Sequence, residues 1–302
     1  MTTFIMMCGL VGSGKSFQAK KLALEYNAII IESDAVRKEL YGDAATQGDN
    51  NILFQSIHSE IARLLLEGSN VILDATNISY KHRTALLDKL KKLNVEKVCY
   101  LMATQYKICL EQNKNRDREV PEQVIKRMRE NFTCPQYNEG WDKIEIVYNY
   151  DNANYDMDDY LKEIENFDQE NPHHTKTLGE HVKTVAKKID ERRESTELLY
   201  YVALLHDNGK RYSKVFRNMK GEPSEIAHYY NHPNVGAYEA LFYLREIFDL
   251  SENILYGCGL IQYHMRHYDL NTEKSKNKLR LLVGEEMYND LSILNMADKL
   301  EK

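Results

Sequence analysis

The segment Gly9-Leu-Val-Gly12-Ser13-Gly14-Lys15-Ser16 has the residue types and spacing of a phosphate-cradling loop. Its glycines let the backbone curl so that successive N–H groups face phosphate oxygens. A helix opening at Lys15 would add the partial positive charge of its N-terminus. In that frame Lys15 reaches the β- and γ-phosphates of ATP and Ser16 sets its hydroxyl on Mg2+. Further along, Ser33-Asp34-Ala-Val-Arg37 places a carboxylate and a guanidinium three residues apart, on one face if a helix opens there. Asp34, at the carboxyl end of a strand, can accept the proton of an attacking hydroxyl, and Arg37 can hold a phosphate on the acceptor. Alternatively Asp34 caps a helix and Arg37 is a surface residue. Asp74 closes the run VILD as a candidate carboxylate on the Mg2+ side, or as an ordinary strand-end turn. Arg116 and Arg118, in NRDREVP, would suit a lid closing on the transferring phosphoryl group. Their other reading is pairing with Asp117 and Glu119.

A second chemistry begins after residue 172, where eight of the ten histidines lie. His206-Asp207 closes the apolar run LLYYVALLHDNGK. Two hydrophilic groups at the end of a buried helix need partners, and a metal can supply them. His181 shares the apolar face of its helix with Leu178, Val182 and Val185. Asp298, four residues after Leu294, also points inward. His181, His206, Asp207 and Asp298 form a nitrogen and oxygen set without thiolate, suited to Mn2+, Fe2+, Co2+, Ni2+ or Mg2+ rather than structural zinc. Singly, each has a plainer reading as a hydrogen-bonded core residue.

The elements that must position these residues follow from patterning. Short apolar runs at residues 3–8, 28–31, 70–73, 95–102 and 144–148 alternate with helical periods, notably at residues 15–26 and 53–67. That alternation predicts an α/β domain, a parallel sheet with helices on both faces, over residues 1–150. After residue 171 strand signal nearly vanishes, and amphipathic periods around Leu178, Leu198 and Ala237 predict an all-helical domain to residue 302. Between them, residues 151–170 hold eight acidic side chains and one basic one, which predicts an acidic linker or linker helix. The net charge of −6 sits in that stretch, so it neither argues for nor forbids a nucleic-acid substrate. With 43% hydrophobic and 28% charged residues, disordered and collagen-like chains are excluded. No apolar run reaches bilayer-spanning length, and the apolar start reads as a strand, so no membrane association is expected. Five cysteines without disulfide or metal spacing fit a reducing cytoplasm.

GLVGSGKS, SDAVR, DATN and NRDREVPEQVIKRM…CPQYNEGWDKI, in that order, resemble the polynucleotide 5′-kinase group of P-loop kinases over about residues 3–150. The resemblance implies that Asp34 is the general base, that Arg37 contacts the acceptor's phosphate, and that Arg116, or Arg118, contacts the donor phosphates. One departure concerns Asp74: phage members carry the strand-end carboxylate directly before Thr-Asn, where this chain has Ala75. The second half resembles the HD-domain superfamily of metal-dependent phosphohydrolases through NPHHTKTLGEHV, LLHDNGK, NHPNVGA and LIQYHMR, over about residues 171–302. That resemblance implies His181, His206, Asp207 and Asp298 as primary ligands. It adds His232 and His264 for a second metal or the phosphate, with Lys210 on the scissile phosphate. His174 and His267 stay unassigned and His228 reads as structural.

Together the resemblances imply a bifunctional end-healing enzyme that phosphorylates 5′-hydroxyl ends with ATP and removes 3′-phosphate or 2′,3′-cyclic phosphate. Its partners would be nucleic-acid ends, RNA rather than DNA, and an RNA ligase acting on the product. The alternative is a nucleoside, nucleotide or other small-molecule kinase fused to a nucleotidase. A third reading is a nucleotide-sensing module whose second half binds without hydrolysing.

Overall fold

The computed structural model describes residues 1–43, 48–172, 175–192 and 196–300, so His174 lies outside the described residues. The chain divides into two compact units, one of Met1–Met128 with Pro135–Tyr150, the other of Arg129–Cys134 with Asp151–Lys302.

The first unit is built on a five-stranded parallel sheet in the order β2-β3-β1-β4-β5. Its strands are β1 (Thr2–Cys8), β2 (Ala28–Glu32), β3 (Asn70–Asp74), β4 (Val95–Thr104) and β5 (Lys143–Asn149). Central β1 is buried from Thr3 to Cys8, whereas the edge strands β2 and β5 are only partly covered. This gradient is why β1 reads as a continuous apolar run. The connections carry α1 (Lys15–Tyr26), α2 (Ser33–Tyr41), α3 (Asn50–Leu66), α4 (Tyr80–Leu90) and α5 (Tyr106–Lys114), and α6 (Glu122–Glu130) follows Pro121. Ala19 and Leu22 of α1 pack with Ile5, Met7 and Ile72 into one core cluster. Parallel strands need such crossovers, and the loops leaving their carboxyl ends meet at one edge.

In the second unit the helices are α7 (Met157–Ile164), α8 (Leu178–Asp190), α9 (Glu197–Leu205), α10 (Lys210–Ser213), α11 (His232–Arg245), α12 (Ser251–Tyr263), α13 (Glu273–Val283) and α14 (Glu285–Lys299). Thr177 and Glu180 form a reciprocal cap that starts α8, and Pro233 occupies the first turn of α11. The acidic stretch is more than a tether: it folds into α7, whose Tyr160 and Ile164 are buried within this unit.

An all-helical second half was expected, and here the structure differs. An antiparallel hairpin joins β6 (Lys214–Arg217) to β7 (Pro223–Tyr229). Its strands are short and mostly half-buried or exposed, so they leave no apolar run to read. Turn chemistry makes it instead. Asn218 Oδ1 accepts from the N–H groups of Lys220 and Glu222, and Gly221 takes the positive φ of 84° that the turn requires.

Candidate functional site

The loop between β1 and α1 opens the first of two sites. At Gly12 φ is 77°, and a Cβ there would lie 2.2 Å from the carbonyl oxygen of Cys109. Only glycine permits that approach. The loop is held from below by Thr104, fully buried at the end of β4, whose hydroxyl donates to Ser13 O at 2.9 Å. Gly9 N–H donates to Thr76 O at 2.9 Å, tying the loop to the segment after β3. Lys15 Nζ donates to Leu10 O at 2.7 Å. Burial lowers its pKa, against the pull of the Asp74 carboxylate.

Around this loop lies a cavity of ≈ 640 Å³. Gly12, Ser13, Gly14, Lys15 and Ser16 line it, as do Asp34, Arg37, Asp74, Arg116 and Arg118. The sequence-predicted residues of the first half other than Gly9 thus line one space. Asp34 stands exposed in the first turn of α2, and Asp74 ends β3 buried. Arg37 donates to Asn50 Oδ1 at 3.4 and 3.3 Å.

Two supports escaped the sequence reading. Asn113 at the end of α5 pairs with the backbone of Val120 in both directions, donating to its carbonyl at 2.8 Å and accepting from its N–H at 3.1 Å. This closes the base of the loop that carries Arg116 and Arg118. Arg83, fully buried, donates to both oxygens of Glu139 at 2.7 and 2.6 Å and to Asn77 O at 3.1 Å. The pair pins the turn after Asp74, and Trp141 Nε1 adds a bond to Glu139 at 3.1 Å. Glu139 lies in the CPQYNEGWDKI segment of the resemblance, but its partner sits 56 residues upstream.

The second site lies wholly in the second unit. His181 on α8, His206 and Asp207 after α9, His232 opening α11, His264 after α12 and Asp298 on α14 are all buried. Ligand atoms of His181, His206 and Asp298 fall within 4.8 Å of one another, and so do those of Asp207, His232 and His264. Gly209 allows the gathering, because a Cβ there would meet His232 O at 2.1 Å. The turn after Asp207 therefore packs directly against the start of α11.

Three of the histidines share one device. Nδ1 of His206, His232 and His264 lies 2.7, 2.8 and 2.7 Å from the carbonyl oxygen three residues earlier. A carbonyl only accepts, so Nδ1 carries a proton, and each ring in its neutral form presents a lone pair at Nε2. Those of His232 and His264 face each other at 3.4 Å, with Asp207 Oδ1 at 3.2 and 3.6 Å. Nε2 of His206, 3.3 Å from Asp207 Oδ2, has no partner in hydrogen-bond geometry. Facing lone pairs beside carboxylates fit a cation, so the donor set suits a metal.

The titration directions follow from these neighbours. Burial works against the charge on Asp207, but Lys210 and His206 outweigh it and hold its carboxyl well below the usual range. Asp298 is held low by His181 and His206 despite burial. Burial pushes the His264 imidazole down, toward the neutral ligand form. His206 is raised despite burial by Asp207, an attraction a cation would take over. Lys210, expected on the phosphate, is buried and bridges Asp207 at 2.8 Å and Gln169 at 2.8 Å. With Asp207, His232 and Asp298 it lines a cavity of ≈ 260 Å³. His228 bonds Ser224 at 3.1 Å, and His267 stands against Tyr288.

No helix among the described residues is long and apolar enough to cross a membrane. Residues 4–135 match the AAA domain family. Among curated proteins the chain is similar to the L-seryl-tRNA(Sec) kinase of Methanococcus maripaludis, at 25% identity over 53% of this chain and 64% of that protein. The chain thus spans less than two thirds of that relative's length. Among solved structures it is similar to a gluconokinase from Sinorhizobium meliloti 1021, with TM-score 0.38, 19% identity, 49% of this chain and 83% of the other. It is also similar to a chain of the Pnkp1/Rnl/Hen1 RNA repair complex, with TM-score 0.37, 18% identity and 42% of each chain. The AAA domain match lies almost wholly within the first unit, and the curated relative is a kinase.

Proposed function

We propose that the chain is a bifunctional end-healing enzyme for RNA. Its first unit would phosphorylate 5′-hydroxyl ends, and its second, an HD-type phosphohydrolase, would remove 3′-phosphate or 2′,3′-cyclic phosphate. The observation that carries this reading is the presence, in one chain, of a cavity around the Gly9–Ser16 loop and, in the other unit, of two groups of three buried His and Asp side chains spaced as metal ligands are.

In the first unit ATP with Mg2+ would lie along the Gly9–Ser16 loop, with Lys15 and the loop N–H groups on its β- and γ-phosphates. Asp34 would accept the proton as the 5′-oxygen bonds to the γ-phosphorus and the bond to the β,γ-bridging oxygen breaks, releasing ADP. Arg37 would orient the acceptor by its phosphate, and Arg116 and Arg118 would offset charge on the transferring group. In the second unit His181, His206, Asp207 and Asp298 would hold one ion and His232 and His264 would complete a second site with Asp207. Bound metal would supply positive charge for the phosphoryl oxygens and lower the pKa of the attacking water. Lys210, released from Gln169 but still beside Asp207, would orient the phosphate. An RNA ligase would then consume the 5′-phosphate and 3′-hydroxyl ends. A small-molecule kinase fused to a nucleotidase is the second reading, favoured by a cavity whose ≈ 640 Å³ also suits a compact acceptor.

The test is a short single-stranded RNA with a 5′-hydroxyl and a 2′,3′-cyclic phosphate, given ATP and Mg2+ or Mn2+, with both ends weighed. The expected result is a 5′-phosphate lost only in Lys15→Ala, and 3′-end healing lost only in Asp207→Ala. Unchanged RNA ends with phosphorylated nucleosides would transfer the assignment to the second reading.

A further inference from the structure

One wall of the kinase cavity is aromatic, and none of the steps above uses it. Phe54 and His82 stand with ring centroids 5.1 Å apart and planes inclined at 36°. Both line the same cavity as Ser16, Asp34 and Arg37. Helix geometry explains the placement. Phe54 follows Asn50 by four residues on α3, so the two share a face, and Asn50 is the residue that receives Arg37. His82 lies in the first turn of α4, which brings its ring across to Phe54. Phe54 is half-buried and His82 exposed, so the pair presents its surface to the cavity. Partial desolvation and the charges of Lys81 and Arg83 lower the pKa of the His82 imidazole.

An aromatic ring pair and the Arg37 guanidinium on the walls of one cavity match the two ends of a nucleotide. A polyol or amino-acid acceptor would leave such a wall wet, whereas every base has a π-face that it can cover, whatever the sequence. We infer that Phe54 and His82 are the platform for the base of the acceptor nucleotide, so that the acceptor class is a nucleoside 5′-hydroxyl carrying a neighbouring phosphate for Arg37. The inference rests on the reading of Asp34 and Arg37 as the acceptor end of the cavity.

The experiment uses the full chain with ATP and Mg2+ and two acceptors: a short 5′-hydroxyl oligoribonucleotide, and the same strand with an abasic 5′-terminal residue. The wild type is expected to favour the base-bearing strand in kcat/KM by roughly 5- to 150-fold, the range for one stacked base. Phe54→Ala should raise KM for that strand until the two acceptors become equal, leaving kcat and the KM for ATP unchanged. Phe54→Tyr should restore the preference. His82→Ala, at an exposed position, should lower it without a change in thermal midpoint. A wild type that treats both strands alike, or a Phe54→Ala variant that keeps the preference, overturns the platform while the kinase reading stands. A wild type that phosphorylates neither strand nor any nucleoside overturns both.

Discussion

Gly12 illustrates how far a single residue can commit the chain. Its φ of 77° and the 2.2 Å approach a Cβ would make to Cys109 O leave alanine no accommodation without moving α5. Gly12→Ala should therefore lose ATP affinity by roughly tenfold or more, from left-handed strain plus the clash. Titration with a fluorescent ATP analogue would show this, and unchanged affinity would mean that the loop does not cradle phosphate. Such local demands are what a sequence displays best. Gly9 to Ser16 are adjacent, so their spacing alone announced the loop, and His206-Asp207 was visible for the same reason. Thr104 beneath the loop and Arg83 against Glu139 were not, because each meets its partner across the fold, 91 and 56 residues away. Glycine at 209 had a local signal in HDNGK, but its reason, contact with the start of α11, is tertiary.

At the scale of elements, the five strands of the sheet were legible because parallel strands buried on both sides read as unbroken apolar runs. Their structural bounds differ from the patterned ones by a residue or two at most of their ends. The β6–β7 hairpin was illegible because it is short, largely uncovered and made by Asn218 and Gly221 rather than by hydrophobic alternation. The loop carrying Arg116 and Arg118 is a third case. Its arginines were visible, but the clamp that shapes it is one amide, Asn113, acting as both donor and acceptor to Val120. Each hydrogen bond contributes about 1 kcal/mol. Asn113→Ala should thus lower kcat by about 5- to 30-fold as the loop loses its closed shape, with KM for the acceptor little changed. Asn113→Asp, which can accept from Val120 N–H but not donate, should fall between. Steady-state kinetics on the full chain decides, and a variant with wild-type kcat would show that the loop takes no part in transfer.

For the whole molecule, the second unit should gain stability from a metal and the first should not. A ligand that binds only the folded state at a hundredfold excess over its Kd contributes about 2.7 kcal/mol. At about 2–4 °C per kcal/mol for a unit of this size, Mn2+ should raise its unfolding midpoint by several degrees over the chelated protein. Asp207→Ala should abolish that rise, because Asp207 serves His206, His232 and Lys210 at once. A calorimetric trace identical with and without Mn2+ would show that the six residues form a polar core rather than a metal centre.

The path of the chain between the units also has an evolutionary consequence. It leaves the first unit at Arg129, returns at Pro135 and leaves again at Asp151. The brief visit is not idle, since Arg129 pairs with buried Glu239 at 3.2 Å and Cys134 N–H donates to Gln262 at 2.7 Å. Two genes joined end to end would need only one such passage. Here a recombination breakpoint near residue 150 would leave residues 129–134 on the first fragment and strip them from the second unit, so the second half could not be exchanged intact without the first.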